Sequence, residues 1–131
     1  MEIFLIKSGL LMAVIGILVG LPFIRSIKKN NEEQWRIAHL SGIVAGTFTM
    51  VLGLVYSKFC SPSSLNWWSC LLINVSNWLF LIGTLISGFS GKRGLSTKDK
   101  SISGRTIFVL YSIAALLSTL GALGLLLIGL W

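Results

Sequence analysis

Residues 38–57, AHLSGIVAGTFTMVLGLVYS, decide the fold. No lysine, arginine, aspartate or glutamate interrupts them, Arg36 stands just before, and Lys58 closes the run. A helix of about 20 such residues crosses the hydrocarbon core of a bilayer. Three further apolar runs of similar length follow the same rule, giving spans at 4–24, 38–57, 67–88 and 106–131. Backbone polar groups in lipid must be satisfied within a helix or a closed barrel, and four runs of this length mean helices. The expectation is an all-α, integral membrane four-helix transmembrane bundle, a single domain over residues 1–131. The loop between spans 2 and 3 is short, so an up-down arrangement is the economical one.

Composition excludes the soluble alternative. Of 131 residues, 54% are hydrophobic and 11% charged, with a mean hydropathy of +0.86; soluble domains carry about a quarter charged residues. The charges cluster between Arg25 and Arg36 and between Lys92 and Arg105; outside them stand only Glu2, Lys7 and Lys58. Basic residues favour the cytoplasmic side. Loops 1–2 and 3–4 are therefore expected to face the cytoplasm, with both termini and loop 2–3 outside, in a multi-pass protein of the inner (cytoplasmic) membrane. The net charge of +7 is then explained by these flanks beside anionic lipid and needs no nucleic acid. The first span has no small-residue cleavage site before Arg25, so it reads as a retained helix and not a signal peptide. Cys60 and Cys70 bracket the outward loop, where either a disulfide or two thiols is compatible with the sequence.

Small residues form stripes that let membrane helices approach closely: Gly9, Ala13, Gly16 and Gly20 on the first helix, and Ala114, Ser118, Gly121 and Ala122 on the fourth. The third helix carries Asn74, Asn77, Thr84 and Ser87 along one side, which either bond another helix or line a cavity. Trp67, Trp68 and Trp131 read as interfacial anchors, and Trp78, deeper, as packing.

His39 is the only histidine. Gly42 and Gly46 follow on its helical face, offering a surface almost without side chains against which a flat group could lie. Haem takes an imidazole axial ligand and an apolar slot, and Arg36, one turn earlier, is placed to pair with a propionate. A single histidine excludes a bis-histidine site within one chain and points toward an open iron position, with Met12 and Met50 as candidate sixth ligands that nothing in the sequence singles out. Zinc lacks its other ligands. The plain alternative is an interfacial histidine at a helix start, with Gly42 and Gly46 as a packing motif.

The segment Trp35-Arg36-Ile37-Ala38-His39 with Gly46, then Trp78, then Lys92-Arg93-Gly94-Leu95, and finally Gly121-Ala122-Leu123 with Gly129, resembles styrene oxide isomerase over about three-quarters of the chain. The resemblance implies a small four-helix membrane protein that assembles as a homotrimer and holds haem b near subunit interfaces. His39 would be the axial ligand and the metal-binding residue, and Arg36, Gly42, Gly46 and Arg93 would belong to the cofactor site. It also implies an isomerase: ferric haem as Lewis acid opens a small apolar substrate such as an aryl epoxide, and a hydride shift yields an aldehyde. No catalytic side chain is assigned, because Ala45, Ser76 and Thr84 stand where the family has asparagine, aspartate and tyrosine. Asn74, Asn77 or Tyr111 are the residues available to substitute. Two other readings stay open: a haem-binding sensor or complex subunit without the isomerisation, and a cofactor-free structural protein.

Overall fold

A computed structural model describes residues 1–26, 32–59, 64–93 and 101–129. They form four helices: α1 (Glu2–Ser26), α2 (Glu32–Phe59), α3 (Ser64–Ser90) and α4 (Ile102–Gly129). All four contain a stretch long and apolar enough to cross a membrane. Each begins before the expected apolar span, because apolarity marks only the part that sits in hydrocarbon. A helix continues until its backbone is capped. Glu32 and Glu33 occupy the first turn of α2, where carboxylates complement the helix dipole. Ser101 caps α4, its hydroxyl accepting the Gly104 N–H at 3.1 Å, as an N-cap serine does. α3 ends at Gly91, whose φ of 67° is the left-handed conformation that glycine adopts without a steric penalty. There the Gly91 N–H closes onto the Ser87 carbonyl at 2.9 Å, an αL cap.

Consecutive helices run antiparallel. Gly9 faces Gly46, and further along Gly16 faces Gly42. Between α2 and α3, Ser41 meets Thr84 and Thr49 meets Asn77; between α3 and α4, Ser76 meets Ala114 and Ser69 meets Gly124. The topology is therefore up-down, as expected. The ring of helices is not closed, however: among the described residues, the α4 backbone approaches α3 alone, and α1 approaches α3 only slightly. α2 and α4 flank α3 and leave a gap between them.

The distribution of polarity is that of a protein dissolved in lipid. Leu10, Ile17, Leu18, Val44, Leu116 and Leu126 are exposed, while Thr49, Asn74, Ser76 and Thr84 are buried. Intramembrane polar side chains turn inward to find partners. Trp78 is more than packing: its indole N–H donates to Ser8 Oγ at 2.8 Å, and Ser8 donates to Asn74 Oδ1 at 2.8 Å. This chain of bonds ties α1 to α3 where their backbones scarcely meet. Trp67 and Trp68 are exposed at the start of α3 and meet edge-to-face, consistent with interfacial anchors. Of the stripe expected on α4, Gly121 packs against Ile73 and the Ser69 carbonyl, Ser118 lines a cavity and Ala122 is exposed. Cys70 is buried in α3; Cys60, and with it the disulfide question, lies outside the described residues.

Candidate functional site

α2 carries two contrasting faces. His39 lies about two turns into α2 and turns toward α1. Its Nδ1 lies 2.7 Å from the Gly16 carbonyl. A carbonyl can only accept, so Nδ1 carries the proton, and in the neutral ring Nε2 holds the lone pair. The ring fits because Gly20 has no side chain: a Cβ there would lie 3.2 Å from His39 Cε1 and Nδ1.

The glycines beyond His39 correct the sequence reading. Gly42 and Gly46 do not form an open slot. A Cβ on Gly42 would stand 2.5 Å from Gly16 Cα, and one on Gly46 would stand 2.6 Å from the Ala13 nitrogen and the Gly9 carbonyl. α1 crosses directly over them, and backbone fills the surface expected to receive a flat group. Such crossings give dispersion contact where lipid supplies no hydrophobic drive. The two methionines differ in their distance from the histidine. Met12 is fully buried on α1, and Met50 packs at Gly9, about three turns along α2 from His39, too far to share an iron with it inside one chain.

The opposite face of α2, roughly half a turn round from His39, opens onto a cavity of about 570 Å³ between α2, α3 and α4. Ligand cavities fall in this size range. Its walls are largely apolar, from Ile37, Phe80, Ala114 and Ala115. Phe80 and Tyr111 stack at a tilt with centroids 5.2 Å apart. Gln34, Ser76, Asn77, Ser87 and Tyr111 add polar groups. A smaller recess continues it past Ser41, Ala45 and Phe48. At the mouth the Arg93 guanidinium pairs with the Glu33 carboxylate, both partly exposed. This pair joins the two basic stretches at one end of the bundle.

Arg93 thus goes with the cavity and not with His39, whereas Arg36 is exposed on α2 one turn before the histidine. Both alternatives raised for the polar side of α3 are realised. Asn74 and Thr84 bond across helices, Thr84 to Ser41 at 3.1 Å. Asn77 donates to Thr49 at 2.9 Å and also lines the cavity, as does Ser87. Ser76 donates to the Ala114 carbonyl at 2.7 Å and ties α3 to α4. Ala45 and Ser76, two of the three positions where the chain departs from the family pattern, face the recess and the cavity; Thr84 is buried beside Ser41. Sequence reasoning missed Gln34. It stands in the polar run before the span and reads as a loop-edge residue, yet only 6% of it is exposed. Among the described residues, no three His, Cys, Asp or Glu come together as a metal site.

The fold and these faces define a multi-pass helical membrane protein with a ligand-sized cavity opening between its helices. A family model, styrene oxide isomerase, matches residues 2–131. The chain belongs to that family. Neither a curated protein nor a solved structure gives a match.

Proposed function

We propose that this chain binds haem b through His39 and isomerises a small apolar epoxide to a carbonyl compound. One observation in the chain supports the ligand assignment: the hydrogen bond from His39 Nδ1 to the Gly16 carbonyl. Metal-ligating histidines characteristically donate their other ring N–H to a carbonyl or carboxylate, which sets the tautomer and orients the ring. The residues present fit the group in that respect. With Gly42 and Gly46 closed by α1, the macrocycle would lie outside the α1–α2 crossing, against lipid or a second copy of the chain. A homotrimer, implied by the family resemblance, is part of the proposal.

When bound, ferric haem supplies a Lewis-acid iron with an open position for an oxygen ligand. The chain's own contributions are simpler. His39 would hold the metal, the Gly16 carbonyl would keep the imidazole from rotating, and Arg36 would offer a cation to a carboxylate near the membrane edge. The inner membrane, with loops 1–2 and 3–4 cytoplasmic, follows from the basic flanks.

The test is the visible spectrum and pyridine haemochrome of detergent-purified protein, wild type beside His39→Ala. A b-type Soret band lost in the variant is the expected result. A colourless wild type after expression with added haem overturns the proposal. Haem binding without isomerisation is the second reading, favoured by Ala45, Ser76 and Thr84, which place no acid where the family has one. Aldehyde formation from an aryl epoxide by the coloured protein separates the two.

A further inference from the structure

We infer that the cavity between α2, α3 and α4 is a binding site for a membrane-dissolved alcohol, whose hydroxyl donates to the side-chain carbonyl of Gln34. Gln34 lines this cavity and is 6% exposed, yet among the described residues its Oε1 has no hydrogen-bond partner. An amide oxygen can only accept, and a buried acceptor left unpaired is destabilising. The missing partner is therefore a donor. The body attached to it is apolar, since Ile37, Phe80, Ala114 and Ala115 form the walls. The route in is lateral: among the described residues the α4 backbone approaches α3 alone, so the gap between α2 and α4 opens toward hydrocarbon and admits molecules already dissolved there. A protonated amine also donates, but it would have to shed its hydration to enter. A neutral hydroxyl does not meet that cost. The site lies on the opposite face of α2 from His39, and nothing in the inference depends on haem.

The probe is hydroxymethylbenzophenone, compared with its methyl ether, which keeps the body and loses the donor. Each is irradiated with the full chain in lipid nanodiscs, and the adducts are mapped by peptide mass spectrometry. The alcohol is expected to label the cavity walls on α3 and α4, around Phe80 and Ala115, about fivefold more than the ether, the ratio one ordinary hydrogen bond supplies. Gln34→Leu removes the unpaired acceptor without leaving a new one, so it should fold, and it should make alcohol and ether equal. Gln34→Glu keeps an acceptor and should keep the preference. Ala115→Phe narrows the cavity and should abolish labelling there by both. Equal labelling of the wild type by both probes, adducts mapping away from the cavity, or a preference that survives Gln34→Leu each overturn the inference. The first would mean that water alone satisfies Gln34, and the last that the hydroxyl bonds another polar group of the cavity. The readout is the same with or without bound haem, so a negative result leaves the haem proposal standing.

Discussion

The two sides of α2 are built from similar residues and behave in opposite ways. On one, Gly42 and Gly46 meet Gly16, Gly9 and Ala13 so closely that backbone touches backbone. On the other, Ser41 and Ala45 are also small, yet the space before them stays open as part of the recess beside the cavity. The difference lies in what stands opposite. α1 presents its own row of small residues and can come close. Across the cavity face, α4 is held away by the side chains through which it packs on α3, such as Tyr111 against Gly83. Smallness becomes contact only when the partner is small as well.

Substitutions sharpen or break this contrast. Gly42→Leu should have the largest effect, because a Cβ already collides with Gly16 Cα and backbone cannot swing aside as a side chain does. Destabilisation of roughly 3 kcal/mol or more is expected from overpacking of this kind, measured by denaturant or thermal unfolding in micelles. Ala45→Leu, a substitution of comparable bulk into the open recess, should be far milder. If the two cost the same, the contrast between the faces is wrong. His39→Ala comes next: on the proposed ligand assignment it should lose the Soret band, and in haem-free protein it should cost about 1 kcal/mol for the bond to Gly16. Ser76→Ala removes the link to the Ala114 carbonyl; intramembrane hydrogen bonds average about 0.6 kcal/mol, and the same unfolding measurement reads it. Smallest is Glu33→Ala, which breaks the ion pair with Arg93. The side chains are 46% and 63% exposed, so the change should stay below about 1 kcal/mol and shrink further in high salt.

The existence, number and order of the helices could be read from the apolar runs, and so could the helix-packing role of Gly9, Gly16 and Gly20. The ends could not be read from hydropathy, though the signals were local: Ser101 as a cap and Gly91 as a stop. The site was legible unevenly. His39 does lie on the glycine face, with its ring at Gly20 and Gly16, but that face was expected to be vacant. A helical wheel shows which residues share a side and says nothing of what is opposite. Gln34 was overlooked for a related reason. Polar residues before a span normally meet water, and this one is covered by neighbouring helices that no local pattern reveals. Arg93 was grouped with His39 through the family motif, whereas its partner proves to be Glu33, far away in the chain.

The sequence by itself determined that the chain is helical, spans the membrane with four segments and turns its polar side chains inward. Each of these follows from hydrophobicity and backbone hydrogen bonding along a single segment. Only the tertiary structure decided which row of small residues is closed and which is open, that the imidazole of His39 bonds the Gly16 carbonyl, and that Gln34 has an acceptor unmatched among the described residues. Those are properties of pairs and triples of helices, set by side-chain shape across an interface, and no property of one segment contains them.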